Sequence, residues 1–467
     1  MDSTSSGALS RYVRDPAFYK KFALLAGPII LQNIITQTVN LADNVMVSDL
    51  GEITLDGVYA TNVVSTFVGQ VVHGIAPAMT VLAAQYWGKG DSGSVKKIVS
   101  IGMKICFCCS AVIALLMIAV PQLMLRLFTS NEEVIMSALA YARIMGVGYL
   151  FFCVSDVLVS AMRCVEVVKI GLYDSILALV FNISLNWLLI YGHLGFPALG
   201  ATGAALATVI SRLAECSLMV WYVFFHDKRL GMKLKDLFSK SEGVLYRDFI
   251  KYGLPVFIGS ITWGINLSVQ GMIVGRFDVY STAAYSIAGT VFSILTVAAY
   301  GSATASSIVI GKTVGSGDVP LVKQYARTLQ LIFLGVGVVT GLLIWFSRPI
   351  VLDIYGDLEP QTLIFADQFL RVLAVCSVGT SYQMSVNTGV VRAGGDTKFV
   401  LINDLCFVWL IVLPSSALTA FILHTPTWIT VACLKCDQIL KCIVAVIKVN
   451  RWKWMKKLTR EKETIGN

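Results

Sequence analysis

Residues 331–346 read LIFLGVGVVTGLLIWF, sixteen consecutive positions without a charged side chain, and residues 111–120 read AVIALLMIAV. Neither run alternates at a period of two, so neither reads as a half-buried strand. Both are apolar all round, which an α-helix tolerates only when every face is buried in protein or lipid. The rest of the chain is of the same kind. Of 467 residues, 56% are hydrophobic and 14% charged, against about 25% charged in a soluble globular chain. Lipid accepts this composition. It offers no partner for a backbone N–H or C=O, so the chain must cross it as helices of about 20 apolar residues or as a closed barrel. Without alternation, helices are what remain.

Working outward from these two runs, apolar stretches place twelve spans at roughly 22–48, 57–85, 98–124, 134–161, 171–191, 201–225, 249–275, 282–310, 325–347, 361–391, 399–421 and 427–449. Lysine and arginine test the count. They fill both tails and every loop that follows an even-numbered span, whereas the opposite loops hold only Arg126, Arg276 and Arg348. The positive-inside rule then puts both termini in the cytoplasm of a multi-pass plasma (inner) membrane protein. The net charge of +9 reads as topology and contact with anionic lipids at the cytoplasmic face, and not as nucleic-acid binding. The polar stretch Met1–Lys21 shows no signal-peptide core, so the first apolar run is read as helix one. The eleven cysteines, an odd number placed mostly in apolar segments, read as free thiols. The pair Cys433 and Cys436 lacks the further cysteines or nearby histidine of a metal site.

The chain also repeats itself. Ala26-Gly27-Pro28 opens helix one and Gly253-Leu254-Pro255 opens helix seven; Gly88-Lys89-Gly90-Asp91 follows helix two and Gly315-Ser316-Gly317-Asp318 follows helix eight, each pair 227 residues apart. Met162-Arg163-Cys164 and Val391-Arg392-Ala393 repeat at 229. An even number of spans per copy gives parallel repeats, related by a pseudo-twofold along the membrane normal. The expected architecture is therefore an all-α membrane protein of twelve transmembrane helices in two six-helix lobes. It comprises a cytoplasmic tail 1–21, an N-terminal lobe 22–225, a linker 226–248, a C-terminal lobe 249–449 and a basic tail 450–467.

An ionisable or amide side chain inside the membrane needs a reason to be there. On helix one, Asn33, Gln37, Asn40 and Asn44, with Thr36 and Asp43, recur at three- and four-residue steps. They form a polar stripe that belongs on a water-filled cavity. In the second half, Trp263, Asn266 and Gln270 step along helix seven, Tyr300 lies on helix eight, and Tyr382, Gln383 and Asn387 lie on helix ten. Aromatic and amide groups of this kind suit flat organic cations. His73, near Gln70 and Pro77, is a further cavity candidate. Arg212 with Glu215, Arg371 with Asp367, Asp156, Asp174, Asp404, Lys435, Asp437 and Lys441 read as structural charges, and Pro77 and Pro414 as kinks. Gly311-Lys312-Thr313 imitates a phosphate loop, but Ser306 stands where its first glycine belongs. No catalytic constellation is legible, and no cofactor is implied.

In these motifs the chain resembles the multidrug and toxic compound extrusion (MATE) family. The matching stretches run from Gly27-Pro28-Ile29 to Asp43-Asn44-Val45-Met46-Val47, then Ala84–Asp91, Asn182–Asn186, Leu199–Thr208 and Arg392–Lys398. The resemblance implies an antiporter that exports small organic, often cationic and aromatic, compounds by alternating access in exchange for H⁺ or Na⁺, working as a monomer. Asp43 matches the family's acidic residue on helix one. Asn182, Asn186 and Thr208 fall on a cation site of the DinF-like branch, with Asn186 at a position where that branch has Asp. The NorM-like acid of helix seven is replaced by Trp263, so the resemblance is closer to the DinF-like branch. The alternatives are a lipid-linked oligosaccharide flippase of related design, whose cavity would carry several basic residues, and a non-transporting membrane sensor or channel.

Overall fold

The computed structural model describes residues 11–48, 61, 65–66, 68–126, 132–239, 242–356 and 358–461, and every regular element among them is helical. The long helices are α1 Pro16–Ser48, α2 Ile75–Gly88, α3 Ser92–Ala119, α4 Glu132–Cys164, α5 Lys169–Tyr191, α6 Ala201–Trp221, α7 Gly243–Val274 and α8 Val279–Ser316. They continue with α9 Val319–Ile354, α10 Pro360–Met384, α11 Thr397–Phe407, α12 Thr427–Leu434 and α13 Asp437–Asn450. Ten of the described helices are long and apolar enough to cross a bilayer. Two expected spans differ. Residues 57–60, 62–64 and 67 of the second lie outside those described, and α2 itself starts after a turn at Gly74. The twelfth is two helices, parted at Lys435 and Cys436.

The repeated Gly-x-Gly-Asp motif has a local cause. Gly90 and Gly317 take φ of +82° and +85°, the left-handed conformation that ends a helix and that only glycine adopts cheaply. The aspartate that follows caps the next helix: Asp91 accepts from Ser94 N at 3.1 Å, and Asp318 from Leu321 N at 3.0 Å. At Pro414, where a kink is expected, the winding of the helix changes. A proline inside a helix removes one hydrogen bond and crowds the preceding turn. Here wide π turns at Val408–Val412 and Leu418–Ile422 flank it and make the room.

The helices gather into two compact units. One holds the chain up to Ile30, Ala84–Gly90 and Asn266–Thr459; the other holds Leu31–Ala83, Asp91–Ile265 and the chain from Arg460. Small residues set the packing of the first, as in membrane bundles generally. A Cβ on Gly88 would lie 1.9 Å from the Lys312 carbonyl oxygen, and one on Gly315 1.9 Å from that of Gln85, so α2 and α8 cross backbone to backbone. Gly379 lets α13 approach α10 in the same way at Gln438. The basic tail is docked onto this unit. Trp454 is fully buried and lies where a Gly394 side chain would be, while Leu458 N donates to Gln85 Oε1 at 2.9 Å. In the second unit the linker lies along α3, where Lys96, Ser100 and Lys104 donate to the carbonyls of Gly231, Leu237 and Ser239.

Candidate functional site

Asp43 lies near the end of α1, one turn before Val47, which is buried against Tyr141, Ile190, Ala204 and Ala205. That apolar cluster fixes α1 against α4, α5 and α6. Gly203 lets α6 come close to α5, because a Cβ there would meet the Leu189 carbonyl oxygen at 2.4 Å. The result is one polar cluster at membrane depth. Asn182 and Asn186, one turn apart on α5 and both buried, face half-buried Asp43. Asn186 Nδ2 donates to Asp43 Oδ1 at 2.5 Å and to Asn182 Oδ1 at 3.3 Å.

The donor count is what matters. Asn186 uses its amide hydrogens here, and its own Oδ1 is buried without a partner. The cluster therefore offers a carboxylate and two amide oxygens, with spare acceptor capacity at Asn186. A monovalent cation or a proton supplies what such a set lacks. Among the described residues no basic group stands within ion-pair distance of Asp43. Arg212 acts on it only at longer range, since its Nη1 is bound to Glu215 at 2.9 Å and its guanidinium lies 4.9 Å from the Phe152 ring centroid.

The other expected residues are distributed as follows. Thr208 Oγ1 donates to its own helix, at Ala204 O, and Thr36 does likewise at Gln32 O. Asn40 Nδ2 donates to Gln37 Oε1 at 3.3 Å; Thr36 and Asn40 are exposed, Asn33 and Gln37 half-buried. His73 is exposed and holds Asp156 at 3.1 Å. Trp263 is half-buried and falls in the same unit as Asp43. In the first unit, Gln270 Nε2 donates to Asn266 Oδ1 at 3.1 Å, Gln383 Nε2 to Gln438 Oε1 at 2.8 Å, and Asn387 Nδ2 to Gln383 Oε1 at 3.2 Å. Tyr382 O–H donates to Gln330 Oε1 at 2.9 Å, and Tyr300 is 44% exposed.

Two groupings escaped the sequence reading. Asp174, taken as a helix-start charge, is buried with Oδ1 unpartnered and feels Glu215, Arg212 and Arg163. The signal was there: Asp174, Ala178, Asn182 and Asn186 step by four along one stripe of α5. Lys441, 2% exposed, bridges Asp404 on α11 at 2.9 Å and Asp437 at 3.0 Å. Only the Asp437 partner is visible as a four-residue step.

A bundle of long apolar helices with amides and single charges gathered inside it is a multi-pass membrane transporter. The profile of the MatE family matches residues 28–188 and 255–418, so the two matches open on the two repeated prolines. The chain belongs to this family, the multidrug and toxic compound extrusion transporters. It is similar to the multidrug resistance protein MdtK of Yersinia enterocolitica, 24% identical over 405 residues that cover 84% of this chain and 86% of that one. Its fold is that of a MATE crystallised with MaL6 (TM-score 0.82, 20% identity, covering 96% of this chain and 99% of that one). It is also that of a MOP superfamily transporter from Pyrococcus furiosus (0.81, 20%, covering 96% and 99%) and of the eukaryotic transporter AtDTX14 (0.79, 18%, covering 96% and 98%).

Proposed function

We propose that this chain is an ion-coupled efflux transporter, exchanging H⁺ or Na⁺ for small organic compounds, with Asp43 as the coupling carboxylate. One observation carries the reading: an acid in a candidate membrane span that, among the described residues, has no basic group within ion-pair distance, set against an amide oxygen that lacks a donor. Protonation turns one Asp43 oxygen into a donor, and the acceptors beside it are the Asn182 and Asn186 oxygens. Sodium would instead be held by the carboxylate and these same oxygens. Either ion removes the penalty of a bare charge in lipid and changes what Asp43 asks of Asn186. A gradient does work only if the two transport states bind the ion with different affinity. Asp43 is positioned for this, because its bonds join α1 to α5 and must be remade when α1 moves. The exposed amides of the α1 stripe support a wet surface on the same helix. The lysine and arginine asymmetry supports cytoplasmic termini and a plasma-membrane site, and a chain with both halves needs no second copy to form a pathway.

The test is export of ethidium, as probe, from vesicles under an imposed pH or sodium gradient. Asp43→Asn keeps the shape and the amide contact but carries no charge, so gradient-driven export should fall to background while the folded yield stays unchanged. Undiminished driven export by this variant overturns the assignment.

A further inference from the structure

Gln270 stands 227 residues after Asp43, at the matching place in the second copy, and the structure puts a cation on it. Lys435 occupies the break between α12 and α13. Its half-buried Nζ donates to Gln270 Oε1 at 3.4 Å and lies 6.0 Å from the centroid of the Phe292 ring. Among the described residues no carboxylate is within ion-pair distance of it. Lys441, six residues on, shows what a neutralised buried lysine looks like in this same unit, with Asp404 and Asp437 at 2.9 and 3.0 Å. A half-buried ammonium with no counter-charge is costly if left uncompensated. A neutral amide at 3.4 Å compensates little of that.

A second observation points the same way. Gln270 passes its own hydrogen to Asn266 Oδ1 at 3.1 Å, which leaves Asn266 Nδ2 as the free end of the chain. Asn266 is 1% exposed, and that nitrogen has no partner. The chain Lys435–Gln270–Asn266 thus has its acceptors consumed internally and spare N–H at both ends. That is the inverse of the Asp43 cluster, whose spare capacity is oxygen. A group offering only donors binds an oxyanion. The exposed Tyr300 ring, within electrostatic range of Lys435, and Phe292 supply aromatic surface beside it.

We propose that Lys435 and Asn266 form an anion-binding subsite, which receives a carboxylate or similar oxyanion carried by an aromatic amphiphile. The cargo class is then zwitterionic or anionic aromatics, and not simple cations alone. This rests on the export reading only in calling the ligand a cargo; the subsite itself is read by equilibrium binding.

The experiment uses the full chain in lipid nanodiscs and two probes that differ in one group, a rhodamine free acid and its methyl ester, followed by fluorescence anisotropy. The acid should bind roughly tenfold or more tightly than the ester, the worth of one charge-assisted contact. Lys435→Gln should erase that preference by weakening the acid alone, and Lys435→Arg should preserve it. Equal affinity for acid and ester in the unaltered protein overturns the proposal without any variant, so a Lys435→Gln protein that fails to fold cannot shelter it. Equal weakening of both probes by Lys435→Gln overturns it too, since that is the mark of a packing role. Absence of gradient-driven ethidium export by the unaltered protein, with the acid preference intact, would instead sink the export reading and leave the subsite standing.

Discussion

Replacing Gly315 by alanine adds one methyl group where the structure has no space for it. The new Cβ would stand 1.9 Å from the Gln85 carbonyl oxygen, 2.6 Å from its carbon and 2.7 Å from its Cα, whereas ordinary contact begins at 3.4 Å. The atoms in the way are backbone, so no rotamer can relieve the clash, and α2 and α8 must part by about 1.5 Å. Gln85 cannot follow freely. Its side chain is fully buried, donating to Ala393 O at 3.2 Å and accepting from Leu458 N at 2.9 Å. Overpacking of this kind costs typically 1–3 kcal/mol, and the rigid obstacle argues for about 3, a shift of roughly a hundredfold in the folding equilibrium. The assay is denaturation by increasing detergent denaturant, followed by tryptophan fluorescence. The control is Gly335→Ala on α9, where nothing lies within 4 Å of the added Cβ, and where alanine should stabilise the helix by about 0.5–1 kcal/mol. Gly88→Ala alone should resemble Gly315→Ala, and the double variant should cost clearly less than the sum, because helices already parted have room for the second methyl. If Gly315→Ala proves as stable as the Gly335→Ala control, the backbone crossing is not where the structure puts it.

Asp396 lies between α10 and α11, outside the spans, and is bound by Lys448 at 2.7 Å and Lys456 at 2.9 Å. Burial alone would raise its carboxyl, but the hydrogen bonds and charges of the two lysines outweigh burial and hold it below its ordinary value. A carboxylate lowered in the folded state stabilises above the unfolded value of about 3.9, and this contribution is lost as pH falls through the folded value. Acid titration of stability should therefore show a loss below pH of about 4 that Asp396→Asn removes, at a cost near neutrality of about 1–2 kcal/mol. Lys441→Met should cost about 3–5 kcal/mol by stranding the buried Asp437 charge, and Asp437→Asn added to it should recover part of the loss. Melting curves of the single and double variants check this, and a harmless Lys441→Met would show that the bridge is idle.

The spans were legible because apolar runs and lysine placement are local properties of the chain. The pairing of α1 with α5 was implied only by the family resemblance, which set Asn182 and Asn186 with Asp43; a stripe on one helix does not say which neighbour it meets. What was not legible depends on how separate helices are rotated. Lys435 and Gln270 lie 165 residues apart, and nothing in either helix alone aims one at the other. Lys441 was seen with Asp437 at four residues but not with Asp404, which comes from α11. Asp156 stands near Arg163 in sequence, yet it is held by His73, while Arg163 donates to Gln32 Oε1 at 2.6 Å. The break falls at Lys435-Cys436-Asp437-Gln438, a polar stretch that was read through as one span because apolar residues flank it on both sides.

The docked tail has a practical consequence for anyone shortening or tagging this protein. Residues 452–459 look dispensable by charge and position, but Trp454 fills the space over Gly394 and Leu458 N closes the Gln85 side chain. Just beyond them, Arg460 holds buried Asp248 at 2.6 and 2.8 Å. A reporter or affinity tag joined directly after Asn450 would evict a buried indole and unseat these contacts, whereas an extension placed after Glu461 leaves every one of them in place.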